Sequence, residues 1–182
     1  MSPNGKTLIF KVHLIVQGHQ QEPSVSFDQT TSNTPALKMF CIFCTLTAHN
    51  DFDMHMINIT GAYTHADIDH PIYIKFPEGF SKGSSHVMLL KKALYSTHQS
   101  GYLWEKYHND KLFTIGYATN PADVSAFTCK LNGVTSLLLV YVNDILILTT
   151  KGKIDPVKAK LMKLFNCKDL GKAKSFIGMK IT

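Results

Sequence analysis

Residues Ala126 to Thr150, AFTCKLNGVTSLLLVYVNDILILTT, decide the reading of the fold. Three apolar runs are separated by Asn132-Gly133 and by Asn143-Asp144, both two-residue turn sequences of the kind that closes a β-hairpin. The stretch predicts a three-strand antiparallel meander. Its second turn carries Asn143 and Asp144 at the tip of a hairpin whose arms, Leu137 to Val142 and Ile145 to Leu148, are almost wholly apolar. Two short polar residues held on a rigid, buried support suit a metal-dependent phosphoryl-transfer site, which needs oxygen ligands fixed beside phosphates. A plain hairpin turn uses the same dipeptide, and spacing alone leaves both readings open.

Working outward, Thr34-Pro35 offers a cap and a first helical residue for a helix from about Ala36 to His49. The density of Leu37, Met39, Phe40, Cys41, Ile42, Phe43, Cys44 and Leu46 predicts burial on most of its sides. Met54 to Tyr63 reads as a strand running into a turn, and Pro71 to Phe76 as an alternating strand. Leu103, Trp104, Tyr107 and Leu112 are spaced for a helix from Ser100 to Ile115, with Gly116 as its stop. Asp155-Pro156 opens a third helix that places Val157, Leu161, Leu164 and Phe165 on one face and Lys158, Lys160 and Lys163 elsewhere. A last strand is expected from Ser175 to Ile181. Helices mixed with antiparallel hairpins give an α+β domain. Gln17 to Asn33 and Pro77 to Ser85 read as connections within one unit.

The chain of 182 residues is 45% hydrophobic and 18% charged, which excludes a disordered protein and makes one domain the default. Its 19 basic residues against 13 acidic ones give a net charge of +6, which favours polyanionic partners. All of the basic residues are lysines. Without arginine forks, sequence-specific base readout is disfavoured, and nucleic-acid contact falls to point charges, amides and backbone. No apolar run approaches the roughly 20 residues of a membrane span, and the N-terminus has no secretory pattern, so an intracellular location is expected.

Several segments carry a family signature in order: KTLIFKVHLIVQGHQQ from Lys6, MINITGAYTHADIDHPIYIKFPEGF from Met56, LKKALYSTHQSGYLW from Leu90, Tyr141-Val142-Asn143-Asp144, and FNCKDLGKAKSFIGMKI from Phe165. Together they resemble the reverse transcriptases of copia-type retrotransposons, and YVND resembles that family's Tyr-x-Asp-Asp hairpin. The resemblance implies an RNA-directed DNA polymerase domain of a Pol polyprotein, with fingers and palm interleaved over residues 1 to 182. It leaves no room for thumb, ribonuclease H, integrase or protease. It implies an RNA template, a DNA primer and deoxynucleotides as partners, no membrane, and Mg²⁺ or Mn²⁺ as cofactor.

The same resemblance puts the catalytic carboxylates at Asn58, Asn143 and Asp144, so two of the three are amides and only Asp144 remains as a charged metal ligand. Amides ligate without charge, and polymerisation is expected to be lost or severely reduced. Tyr63, Gln99 and Lys11 fall at nucleotide-binding positions, and Tyr141 at a nucleic-acid contact. Among the family's basic residues, His13 and Tyr102 replace arginines and His98 a lysine. Ser96 replaces a glycine, which strains its turn if a positive φ is required.

Other constellations compete. Lys158, Lys160 and Lys163, with neighbouring lysines, form either a solvated face or a track for a phosphate backbone, to be told apart by salt-sensitive binding. Cys41-x-x-Cys44 with Cys129 and Cys167 offers four thiols to zinc, against the reading of buried small hydrophobes. Asp67 or Asp69 could stand in for a missing carboxylate only across a large displacement. The function readings are therefore a polymerase domain, intact or impaired, and a non-catalytic nucleic-acid-binding protein or functionless relic of the same fold.

Overall fold

The computed structural model describes residues 13–77, 79–80 and 86–181; Lys11 lies outside them. In chain order the elements are α1 (Leu37–Asn50), β1 (Asp53–Ile59), a 3-10 turn (Ala62–His65), β2 (Tyr73–Ile74), β3 (Met88–Leu89) and α2 (Ser100–Thr114). There follow β4 (Ala118–Asn120), β5 (Asp123–Leu131), β6 (Val134–Tyr141), β7 (Asp144–Thr149), α3 (Ile154–Leu164), β8 (Cys167–Lys172), β9 (Ser175–Phe176) and β10 (Met179–Lys180).

The predicted meander is β5-β6-β7, and it forms the middle of an antiparallel sheet ordered β4-β5-β6-β7-β1-β8. The apolar runs are continuous because helices cover both faces. On one face Ile57, Ile59, Phe127, Leu138, Val140, Ile145 and Ile147 pack with Trp104 and Leu112 of α2 and Val157 and Leu161 of α3. On the other, Met54, Ala126, Leu139, Leu146 and Leu148 meet Met39, Phe40 and Phe43 of α1, with Phe176 beside them. Alternate residues of β7 thus serve opposite layers, as the period of two requires.

Several expectations are corrected. α1 is covered on one side only: Leu37 is 60% and Ile42 47% exposed. Thr34 does not cap it; the N-cap is Ala36, whose N–H donates to Asp123 Oδ2 at 2.9 Å. The strand read over Pro71 to Phe76 shrinks to Tyr73–Ile74, paired with Met88–Leu89. Ser175 to Ile181 is a two-stranded hairpin, whereas the sheet's last strand is Cys167–Lys172, paired with β1. Polar residues dominate β8, so its apolar alternation is weak; β1 supplies the missing order through backbone bonds.

The four thiols are divided by the sheet. Cys44 packs on the α1 face, Cys129 and Cys167 on the opposite one, and Cys41 is exposed. That separation excludes one shared four-thiol metal site among these positions. Burial pushes the Cys44 and Cys167 thiols up, leaving them neutral.

Candidate active site

Antiparallel pairing of β1 with β7 sets Asn58 opposite Asp144. Asn58 Nδ2 donates to Asp144 Oδ1 at 2.6 Å, and Asn143 Nδ2 donates to the Ile59 carbonyl at 2.7 Å. Chemistry fixes both amide orientations, since a carboxylate and a carbonyl can only accept and must be faced by nitrogen. The structure thus brings together all three residues expected at the catalytic centre. It does so with amide nitrogens, rather than oxygens, turned to the neighbouring acceptors.

This donor set does not fit a pair of divalent cations. Mg²⁺ and Mn²⁺ take oxygen ligands and are neutralised by carboxylates, and Asp144 is the lone carboxylate of the trio. One of its oxygens already accepts from Asn58. Among the described residues, no group of three or more His, Cys, Asp or Glu is placed to hold a metal. Asp67 and Asp69 do not make up the deficit: Asp67 pairs with Lys92 at 2.7 Å, and Asp69 faces His70 at 3.2 Å.

The turn itself is shifted by one residue from the sequence expectation. Tyr141 pairs with Asp144, so Val142 and Asn143 form the two-residue loop and Asp144 begins β7. Val142 has φ +50°, a region that a β-branched side chain resists. Trp104 supports this strained residue from α2, its Nε1 donating to the Val142 carbonyl at 2.9 Å. Sequence reading placed Trp104 on the apolar face of a helix but did not find this bond; the only signal was that the chain has a single tryptophan.

Tyr63 sits in the 3-10 turn after β1, half-buried, its ring edge-on to Tyr95 at 4.9 Å. Burial, then the Tyr95 and Tyr141 phenols, push its own phenol up. His13 meets the same Tyr95 ring at 5.4 Å and so borders this aromatic row. Ser96 has φ +69°, the positive value expected of a position that favours glycine. Its carbonyl lies against Gly18, where an added Cβ would come within 1.8 Å of the oxygen, so residue 18 admits no side chain.

Gln99 departs from a nucleotide-contact role. It is fully buried, donates to the Ser26 carbonyl at 2.8 Å and accepts from Gln21 Nε2 at 3.1 Å. It ties the loop of residues 17–33 to the start of α2. Gln21, unremarked in the sequence, completes this link by accepting from the His98 N–H at 2.8 Å.

The lysines also divide. Lys160, Lys163 and Tyr141 are exposed. Lys158 is buried, and its ammonium bonds Asp169 at 2.7 Å with Asp155 at 3.4 Å, which removes it from any open basic face. Burial alone would lower its pKa, but the Asp169 bond and charge outweigh that and raise it. The same bond, strongest among several causes, holds Asp169 below the usual carboxylate range. The pair joins α3 to β8 behind β1.

His108 of α2 lies under the site, 6% exposed, against Trp104 and Phe127 at ring distances of 5.2 and 6.0 Å. A cavity of about 30 Å³ that His108 shares with Ser125, Tyr63 and Val142 lies there. Burial pushes its imidazole down to about 4. A depressed histidine pKa means that the unfolded chain binds the proton first. The stabilisation is therefore complete above about pH 6.5 and is lost as pH falls towards the folded value. The expected loss is ~3 kcal/mol at its fullest, read as a falling urea midpoint, and it is absent in His108→Phe. Equal acid slopes for the two proteins would refute it.

Comparison with known proteins gives the family. The family model described as reverse transcriptase (RNA-dependent DNA polymerase) matches residues 3–182. The chain is 32% identical over 182 residues to the retrovirus-related Pol polyprotein from transposon TNT 1-94 of Nicotiana tabacum, covering 97% of this chain and 14% of that polyprotein. It is 28% identical over 142 residues to the Pol polyprotein from transposon RE1 of Arabidopsis thaliana, covering 76% of this chain and 10% of the relative. The chain thus spans a small part of each polyprotein's length. No solved structure matches. Carrying this match along nearly its whole length, the chain belongs to the reverse transcriptase (RNA-dependent DNA polymerase) family, in its copia-type retrotransposon branch.

Proposed function

We propose that residues 1–182 form one interleaved fingers-and-palm unit of a retrotransposon RNA-directed DNA polymerase whose nucleotidyl transfer is disabled at its own centre. The sheet with α2 and α3 is the palm, and the segments before α1 and around β2-β3 belong to the fingers. The observation that carries the reading is the Asn58–Asp144 hydrogen bond, at the position where the resemblance puts two of the family's catalytic carboxylates, which would hold a divalent cation. Divalent metal supplies charge neutralisation and Lewis acidity to this reaction in the family, and this chain's residues do not offer the charge that would retain it. Primer extension on an RNA template, with Mg²⁺ and then Mn²⁺, tests the reading against the Asn58→Asp, Asn143→Asp double variant. The unmodified chain is expected to extend nothing measurable.

Binding of template and primer is a separate property, and the net charge of +6 favours it. Lys160 and Lys163 on the outer side of α3 are the exposed charges proposed to meet phosphates, with Tyr141 beside the turn and Tyr63 beneath the nucleotide sugar. Lys11 is proposed as a further nucleotide contact. Point-charge contacts predict affinity for RNA that is indifferent to sequence and falls steeply with salt. Removing one lysine–phosphate pairing lowers the log–log salt slope by about one, so Lys160→Ala with Lys163→Ala should lower it by about two. Fluorescence anisotropy of a labelled primer–template measures this, and an unchanged slope would exclude the two lysines. If binding persists without extension, the protein acts as a nucleic-acid-binding relic.

A further inference from the structure

Three hydrogen bonds clamp the β6–β7 turn onto β1. Asn58 Nδ2 donates to Asp144 Oδ1 at 2.6 Å, Asn143 Nδ2 to the Ile59 carbonyl at 2.7 Å, and the Ile59 N–H to the Asn143 carbonyl at 2.6 Å. The first two come from the asparagine side chains. They cross between β1 and a turn that contains Val142 at φ +50° and that Trp104 holds from below. The turn is thus a strained element kept in place by amide donors.

We propose that Asn58 and Asn143 make this turn a cation-independent clamp, so that the protein's stability is the same with and without divalent metal, whereas a carboxylate at either position makes stability depend on it. At position 58 a carboxylate would face the Asp144 carboxylate at the present contact distance. The donor would vanish and two like charges would meet, forcing one to take up a proton or both to splay. At position 143 a carboxylate would turn a lone pair onto the Ile59 carbonyl, again losing a donor and leaving an acceptor unpaired. A divalent cation with oxygen ligands relieves both situations by sitting between the oxygens. The amides need no such ion, because each carries its own positive end.

The proposal shares the two asparagines with the polymerase reading, but it is measured through stability, not through extension. Thermal unfolding followed by circular dichroism in EDTA, in MgCl₂ and in MnCl₂ provides the test. Each single variant, Asn58→Asp or Asn143→Asp, is expected to melt roughly 4–8 °C below the unmodified chain in EDTA. Saturating Mg²⁺ or Mn²⁺ recovers most of that shift, while the unmodified chain moves by less than about 1 °C under the same change. Single variants that match the unmodified chain in EDTA would overturn the clamp. So would an unmodified chain whose melting rises with metal as much as theirs.

If a single variant does not fold in EDTA, its refolding on addition of Mn²⁺ supports the proposal, and failure to refold with metal overturns it. Asn143→Ser tests the role of the amide's reach, because it removes the long donor without adding charge. It should melt lower than the unmodified chain and show no recovery with metal. Recovery with metal would contradict the role assigned to charge. Primer extension by the unmodified chain would refute the disablement proposed above, whereas the clamp stands or falls on the melting shifts alone, so the two failures are distinguishable.

Discussion

With aspartate at positions 58 and 143, primer extension is expected to rise about a thousandfold or more over the unmodified chain. In the unmodified chain one carboxylate stands where the proposed phosphoryl transfer by paired cations needs several, and that carboxylate already accepts a hydrogen bond from Asn58. Charge stabilisation by bound metal contributes several kcal/mol to such reactions, and ~4 kcal/mol corresponds to about three powers of ten. Groups that hold a common pair of ions act as a unit. Either single variant should therefore recover much less than half of the logarithmic gain. The measurement is single-turnover extension at saturating primer–template, which separates chemistry from affinity. If the unmodified chain works within about tenfold of the double variant, amides and substrate phosphates hold the metals and the charge deficit is not what limits the chain. A double variant as silent as the unmodified chain would show that positions 58 and 143 are not the limiting lesion.

The sheet's centre was legible because burial on both faces writes long apolar runs, and because Asn132-Gly133 and the residues after Tyr141 mark turns. The hairpin's register was not legible to the single residue. Asn143-Asp144 looks like the turn pair, but Val142 enters the positive-φ position and Asp144 joins the strand. A β-branched residue there contradicts local preference, and only tertiary support from Trp104 and β1 explains it. Composition also hid the one-sidedness of α1. Its apolar density implied burial on most sides, yet Leu37 and Ile42 face outward. Strand β8 was missed because Cys167–Lys172 is mostly polar and owes its place to backbone pairing with β1.

Among the candidate site residues, Asn58, Asn143 and Asp144 came from the family resemblance, and the structure bonds Asn58 to Asp144 and Asn143 to the Ile59 carbonyl. Gln99 and Lys158 show the limit of such transfer. A glutamine and a lysine can be named from a motif or a charge cluster, but whether they face solvent depends on partners far along the chain. Gln99 meets Gln21 and Ser26, and Lys158 meets Asp169. None of those pairings has a periodic or compositional signal. Ser96 is the opposite case: the resemblance puts a glycine at this position, which raised a positive φ as a condition, and the backbone meets that condition at φ +69°.

Replacing Trp104 should unfasten the turn and the core together. The side chain is 2% exposed and packs against His108, Tyr107 and Phe165, with ring distances of 5.2, 5.9 and 6.0 Å. Trp104→Ala removes this volume from between α2 and the sheet, and buried aromatic truncations cost about 3–5 kcal/mol. Trp104→Phe keeps much of the ring but deletes the donor to the Val142 carbonyl, at a cost of about 1–3 kcal/mol for an acceptor left unpaired. The two variants therefore separate packing from the hydrogen bond. Urea unfolding followed by circular dichroism gives the energies. Hydrogen exchange at the Ile59 N–H, which donates to the Asn143 carbonyl, reports the turn. In Trp104→Phe that amide should lose more protection than amides at the centre of β6, because freeing the Val142 carbonyl lets the strained residue relax and carries Asn143 with it. Uniform loss across the sheet would mean that Trp104 acts by packing alone, and an unchanged Ile59 amide would mean that the clamp from β1 holds the turn without help from α2.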